Sequence, residues 1–474
     1  MVWTPQGFSL IGSGLVDRWN RRLVMMVFLK NLVYNPPLTT SDLQGPSMLI
    51  KADKDSPQWA RPFFAIWVSQ AFSLLGSNIV QFAIVWWMTK TTGSATVLAT
   101  ATFIALIPGV FLAPFAGALI DRWNRRLVMM GADGAIALAT VVLAVLFWLG
   151  SVQLWEVYLI LFIRSLLGNF HFPAMQASTS LMVPEAQLAR IAGLNQTLQG
   201  VMGIAAPPLG ALVMGLLPIY GVISIDVVTA VLAVGTLFFI FIPQPVRTEP
   251  PAVVTPRLVL SDVREGLRYV AAWPGLLVML SMAVVLNFMI FPGMTLMPLL
   301  ITKHFNGTVW HLGTIESAFS IGIVIGGLTL GAWGGFKKRI FTAMLGVIGM
   351  GAGLLLVFAA PAWLFPLAVA GMLLMGISNP LANGPIFALL QARVAPEMQG
   401  RVFTLVGSAA NAMSPLSMVV AAPVADWLGL RTWFLIAGVT SMLMGIAGCF
   451  IRPLVMLEEN GNHEDSTVAE EAAA

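Results

Sequence analysis

Apolar residues fill this chain in stretches of twenty or more, broken by brief clusters of Gly, Pro and charge. A helix needs about 20 such residues to cross a hydrocarbon core about 30 Å thick. That ruler predicts twelve spans, at 62–88, 95–118, 127–149, 155–177, 191–214, 219–242, 275–300, 309–333, 340–360, 364–389, 402–425 and 431–453. Most gaps read as turns at a membrane surface. One is long: residues 243–274 begin PQPVRTEPPAVVTPR, which prolines keep from being helical, and continue LVLSDVREGLRYV, which has amphipathic helical spacing. The predicted organisation is therefore an all-α membrane protein with an N-terminal extension over 1–56 and a six-helix bundle over 57–242. A linker over 243–274, a second six-helix bundle over 275–455 and an acidic tail over 456–474 without fixed structure complete it.

Composition agrees: 58% hydrophobic residues against 10% charged, with a mean hydropathy of +0.86, excludes a soluble globular domain. Charge then orients the spans. If residue 60 is cytoplasmic, the inner loops hold 17 Lys and Arg and the outer loops hold Lys90, Lys303 and Arg431, so both termini are expected in the cytoplasm. The net charge of +4 has this origin, which points to a lipid bilayer rather than nucleic acid as the charged partner. The single cysteine, Cys449, excludes a disulfide framework, and the four scattered histidines form no H-E-x-x-H metal motif. No phosphate-binding G-x-x-x-x-G-K-[ST] loop is present, so any ATPase would be a separate subunit. No enzyme activity and no cofactor are expected, and no secretory signal is visible at the N-terminus.

The two sixes correspond in register. TKTTGSATVL (89–98) is echoed by TKHFNGTVWHL (302–312), with Leu98 and Leu312 214 residues apart. Gly117-Ala118 is echoed at the same offset by Gly331-Ala332, and PEAQLAR (184–190) by PEMQGR (396–401) at an offset of 211–212. A shift of six spans preserves orientation, so the halves form a parallel repeat about an axis along the membrane normal.

GALIDRWNRR (117–126), between spans 2 and 3, resembles the signature loop of the major facilitator superfamily, roughly G-x-L-x-D-R-x-G-R-[RK]. Asn124 stands where that pattern has its second Gly; Asn takes left-handed backbone more readily than most residues, so the turn is expected to persist. Residues 57–455 are more closely similar to Mef-type macrolide efflux proteins, through WVSQAFSLLGSNIVQFAIVWWMT, LFIRSLLGNFHFPAMQA, LMVPEAQLARIAG, FNGTVWHLG and GRVFTLVGS. The resemblance implies the twelve-helix major facilitator fold in a bacterial inner membrane. It also implies export of a hydrophobic small molecule such as a macrolide, by alternating access in exchange for protons, by a monomer. Export of a siderophore or other metabolite is the alternative; a non-transporting sensor or intramembrane enzyme is a remote one.

For the loop, the resemblance implies that Gly117, Asp121, Arg122, Arg125 and Arg126 latch the halves together on the cytoplasmic side. The competing reading is that the arginines only set topology. Ionisable residues within spans are functional candidates by default. Arg164 (span 4) and Asp226 (span 6) lie at similar depth and are expected to pair, either as a couple broken by protonation or as a permanent neutralising pair. Glu316 (span 8) has no basic residue near it in its own half and suits a proton carrier or a binder of a cationic amine, against the alternative of an idle carboxylate near water. Asp133 ranks with the latch, and His171 is read as a packing histidine or a proton relay.

Gln70, Ser73, Ser77 and Gln81 make one polar stripe in span 1 that is expected to face a substrate cavity or to bond other helices. Asn287, Asn379, Asn383 and Asn411 are the further cavity candidates, with methionines suited to variable apolar ligands. Gly203, Pro207 and Gly210 in span 5 partly resemble the antiporter motif G-x-x-x-G-P-x-x-G-G, which implies a helix bend; close packing of small residues is the alternative.

DRWNRRLVMM occurs twice, at 17–26 and 121–130. The first copy has no span on either side and precedes the linker-like VYNPPLTTSDLQGPS, so residues 1–47 are read as having no transport role, the alternative being a basic arm on the inner leaflet. Deleting residues 2–47 is expected to leave drug export at the wild-type level per molecule in the membrane; a large loss at normal expression would contradict this.

Overall fold

The computed structural model describes residues 50–51, 58–120, 123–244, 264, 267–394 and 396–458, without the side chains of 50–51, 113–118, 189, 396–401, 403–406, 408–411 and 458. The first copy of DRWNRRLVMM, most of the linker and the acidic tail lie outside the described residues. Twelve long helices span the described chain. The first six are α1 (Ala60–Thr92), α2 (Ala95–Ile120), α3 (Arg125–Trp148), α4 (Leu154–Met182), α5 (Glu185–Leu216) and α6 (Ile219–Phe239). The second six are α7 (Pro274–Lys303), α8 (Val309–Trp333), α9 (Arg339–Ala359), α10 (Phe365–Arg393), α11 (Pro396–Leu428) and α12 (Leu430–Gly448), followed by the single turn α13 (Arg452–Val455). Eleven are long and apolar enough to cross a membrane; α11 contributes a shorter apolar stretch, Ala412–Leu428, among the described residues.

The short connections end helices by local chemistry. Gly93 closes α1 with a left-handed φ of 57° and bonds its N–H to the Thr89 carbonyl. Gly334 closes α8 in the same way with φ 76°, bonding the Leu330 carbonyl. Only glycine adopts that backbone without strain, which explains its recurrence at two turns. Of the linker helix, residues 267–272 are helical and lead into α7.

The helices form two bundles with the same internal pairing. In the first, α3 packs on α4, α2 on α4, α3 on α6 and α1 on α6; in the second, α9 packs on α10, α8 on α10, α9 on α12 and α7 on α12. A shift of six helices converts one set into the other, as a parallel repeat requires. The main contacts between bundles, α2 with α11 and α5 with α8, exchange under the same operation. Ends α6 and α12 share one face of the molecule with the starts of α1 and α7: Ile50 pairs with Ile240 and Lys51 with Phe241 as the two-residue parallel strands β1 (Ile50–Lys51) and β2 (Ile240–Phe241), and Gly275 packs on the Pro453 carbonyl. We call this the terminal face and its opposite the distal face. The pairing of β1 with the end of α6 had no signal in the periodicity.

The second bundle is held by glycine. Gly346 on α9 lies against the backbone of Leu381 and Ala382 on α10, Gly353 against the Gly371 carbonyl, and Gly351 against the Gly438 carbonyl of α12. Without hydrophobic drive between helices in lipid, such backbone contact and its dispersion energy supply the attraction. Gly327 on α8, by contrast, faces open space. Alanine raises helix propensity at either glycine by about 1 kcal/mol, but only at position 346 does its methyl group meet backbone, an overpacking worth about 1–3 kcal/mol. Gly346→Ala is therefore expected to lower the melting temperature of the purified protein and Gly327→Ala to leave it unchanged or raised, as differential scanning fluorimetry would read.

Candidate functional site

Asp226 on α6 is 1% exposed and sits among donors from three other helices. Arg164 of α4 pairs with its Oδ2 through Nη1. Ser77 of α1 donates to Oδ1 at 2.7 Å, and Thr140 of α3 stands 3.1 Å from Oδ2 while accepting from Arg164 at 2.6 Å. Sequence predicted the pair but missed Thr140. Its signal was available: Thr140 lies seven residues from Asp133 on α3, two helical turns along the same face. The carboxylate thus ties together four of the six helices of its bundle.

A second acid occupies the same bundle. Asp133 of α3 is 6% exposed and accepts from Gln70 Nε2 at 3.1 Å, while His171 Nε2 of α4 stands 3.2 Å away, misaligned for a hydrogen bond. Asp133 belongs with these interior groups, which corrects its placement beside the latch. The polar stripe of α1 needs the same correction. Gln70 and Ser77 serve acids inside the bundle, so helix bonding wins for these two, and Ser73 is buried. Gln81 alone reaches the space between bundles, joined by Asn78. A buried carboxylate without donors is far more costly than an unfilled stripe position, and this fixes the direction of the donors.

That space is a cavity of about 520 Å³ walled mainly by α1, α2, α5, α7 and α8, with Leu161 of α4 and Met372 of α10. Its polar lining includes Asn78, Gln81, Thr102, Glu316 and Ser320, set among Phe82, Met202, Met294 and Pro298. Glu316 makes no hydrogen bond or ion pair among the described residues. Thr102 is its mate in the repeat, since both lie four residues beyond the matched leucines Leu98 and Leu312; the offset was read from sequence but not carried to this position. Asn287, Asn379 and Asn383 line a different, smaller cavity in the second bundle, so they are not part of this wall. Asn411's side chain lies outside the described residues.

The cavity is sealed toward the distal face. Gly203 of α5 abuts Ser320 of α8, the Pro207 carbonyl meets Gly313, and Trp310 lies beside Gly215. Ser317 Oγ donates to the Ile204 carbonyl at 3.2 Å, and Thr96 of α2 donates to Asp426 Oδ2 of α11 at 2.9 Å. Toward the terminal face, Gly193 and Gly200 on α5 and Gly327 and Gly331 on α8 stand against open space. The Gly203, Pro207, Gly210 group is therefore where α5 touches its neighbours: Gly210 seats Phe82 of α1, and α5 is helical through Pro207. Close packing of small residues is its observed use.

Of the signature loop, Asp121, Arg122 and the surroundings of Gly117 lie outside the described residues. Arg126 donates to the Leu237 and Phe238 carbonyls, both at 2.6 Å, and Arg125 to the Ala177 carbonyl at 2.7 Å. Leu237 and Phe238 carry last-turn carbonyls of α6, orphan acceptors at the negative end of a helix dipole, where a guanidinium binds well; Ala177 lies inside α4, more than a turn before its end at Met182. The Arg126 bonds stay inside the first bundle. Asn124 does not take the left-handed backbone; it is extended at φ −69°, ψ 108° and caps α3 by accepting from Leu127 N.

Two six-helix bundles repeating one pairing scheme around a shared, partly polar cavity define a multi-pass membrane transporter, not an enzyme. Comparison with known proteins identifies the family: the Major Facilitator Superfamily profile matches residues 66–299 and 282–471, and the chain belongs to that superfamily. It is 35% identical over 400 residues to macrolide efflux protein A of Streptococcus pyogenes, covering 84% of this chain and 98% of that protein. It is 28% identical to the multidrug efflux pump Tap of Mycolicibacterium fortuitum, over 81% of this chain and 94% of that protein. Among solved structures, a bacterial homologue of the iron transporter ferroportin in an inward-facing state superposes with a TM-score of 0.64 at 14% identity, covering 82% of this chain and 98% of that one. The nucleoside transporter NupG superposes with 0.59 at 15% identity, with the same coverage. At such identities these two report the fold alone.

Removing one partner of a buried ion pair costs about 3–5 kcal/mol, whereas replacing both with apolar groups is often near neutral. Asp226→Leu is therefore expected to destabilise the protein strongly and Arg164→Met/Asp226→Leu to recover most of the loss, read by thermal unfolding in detergent. A double variant no more stable than the single one would mean that the pair is not what Asp226 contributes.

Proposed function

We propose that this chain is a proton-coupled exporter of hydrophobic drugs such as macrolides, working by alternating access in a bacterial cytoplasmic membrane. The observation that carries this is Glu316: one carboxyl without a hydrogen-bond or ion-pair partner among the described residues, in the wall of a cavity that both bundles line. Such a group is stable in an apolar wall when neutral, or when facing a cation. Proton and cationic drug can thus hold the site in turn, which is the requirement for exchange. The excess of Lys and Arg in loops on the terminal face supports assigning that face to the cytoplasm. On that assignment the form described is inward-facing, sealed outside by α2 with α11 and α5 with α8. Transport then requires these seals to part while the terminal face closes, and in that closed form the 117–126 loop acts as the latch. The engagement of Arg126 within its own bundle fits the open stage of the cycle.

Similarity to macrolide and multidrug efflux proteins supports both the direction and the substrate class. A cavity of about 520 Å³ is within the range of about 300–1,000 Å³ that holds drug-sized ligands. Inverted vesicles with an acidic interior are expected to accumulate a labelled macrolide, and collapse of the gradient to abolish accumulation. Glu316→Gln is expected to show only the gradient-free level at normal expression. Accumulation indifferent to the gradient would remove proton exchange from the mechanism.

A further inference from the structure

The asparagines of the second bundle surround a cavity apart from the one that holds Glu316. Asn287 on α7 and Asn379 and Asn383 on α10 stand with Met279, Met294 and Met350 around about 190 Å³ of space between α7, α9 and α10. Met294 lines both cavities. Asn287 Nδ2 donates to the Ala283 carbonyl at 2.9 Å and Asn383 Nδ2 to the Asn379 carbonyl at 3.1 Å. A carbonyl cannot donate, so the nitrogen must occupy that position and each Oδ1 remains an acceptor. The Asn379 side chain makes no hydrogen bond among the described residues. The cavity thus presents unfilled acceptors and one unfilled amide among thioether and aliphatic walls. A wholly apolar occupant would leave these groups unmet, and an occupant bearing hydroxyl donors would satisfy them.

Size narrows the occupant. A cavity of about 150 Å³ takes one benzene ring, and a whole drug needs about 300 Å³ or more. The 190 Å³ here is too small for a complete substrate and sufficient for one six-membered ring with its substituents. We infer that this cavity is a second subsite, which takes a hydroxylated ring appendage of a substrate whose apolar body lies in the cavity between the bundles. Met294 is the flexible divider between the two stations. The chemical class selected is a glycoside: a bulky apolar ring system carrying a sugar. The inference rests on the export reading above and adds to it the group that the protein prefers.

The test titrates the purified full chain in nanodiscs with a macrolide glycoside and with its aglycone, for the wild type, Asn379→Ala and Ala283→Leu. The Asn379 side chain bonds nothing among the described residues, so its truncation removes none of their bonds; Ala283→Leu fills the cavity instead. The wild type is expected to favour the glycoside by about tenfold, the yield of one or two well-made hydrogen bonds. In both variants the ratio is expected to fall close to one. No glycoside preference in the wild type, or a ratio that either variant leaves in place, including through equal loss of both ligands, overturns the subsite and leaves the export reading standing. Binding of neither form by the wild type overturns both.

Discussion

The first bundle depends on how one carboxylate is solvated. Asp226 lies in the middle of a membrane helix with 1% of its surface exposed, where an uncompensated charge is costlier than any single packing defect. Its donors come from α1, α3 and α4, so the three helices cannot separate from α6 without stranding it. Asp133 repeats the device nearer the terminal face with Gln70. Together the two acids fix the rotation of α1 about its axis, because Gln70 and Ser77 must both point inward. That rotation in turn decides which residues of α1 are left for the cavity, namely Asn78, Gln81 and Phe82. The lining of the transport path is thereby set by charges that are not in it.

The second bundle reaches the same pairing of helices by other means. Its α9, α10 and α12 have no acidic residue, and their basic residues Arg339, Arg393 and Arg431 lie at helix ends. Backbone contact through Gly346, Gly351, Gly353, Gly371 and Gly438 replaces the polar ties. A polar tie is directional and fails as a unit when one partner goes, whereas glycine contacts spread the attraction along a helix. The halves therefore share a plan and differ in what holds it together.

What could be read in advance follows the same division. Span positions and the two-bundle plan were legible because the cost of exposing polar groups to lipid writes itself into twenty-residue runs, and the repeat appeared as loops kept at offsets of 211–214. The pairing of Arg164 with Asp226 followed from depth alone, since both ends of each helix were located. Facing directions were harder. The stripe of α1 could equally serve a cavity or neighbouring helices, and which one applies depends on Asp133 and Asp226, residues on other helices. Asn287, Asn379 and Asn383 looked like Gln81 in sequence, yet they line a separate space within the second bundle. The short strand Ile50–Lys51 lies where no periodicity exists to be read, and Asn124 was judged by backbone tolerance when its side chain had a capping bond to make.

The repeat gives the central cavity one further property. Glu316 and Thr102 occupy matched positions on α8 and α2 and line the same wall, so the two sides of the pseudo-twofold axis differ by one ionisable group. Arg164, the basic residue within the spans of the first bundle, is already committed to Asp226. On the proposed reading, the charge of Glu316 is met by what enters the cavity, a proton or a cationic ligand, rather than by a protein residue. Both use the same oxygens, so one must leave before the other binds. Exchange follows from that exclusion without a chain of relays through the bundle. The Arg164 and Asp226 pair is then free to act as the fixed post against which α1, α3, α4 and α6 hold their places while the bundles rock.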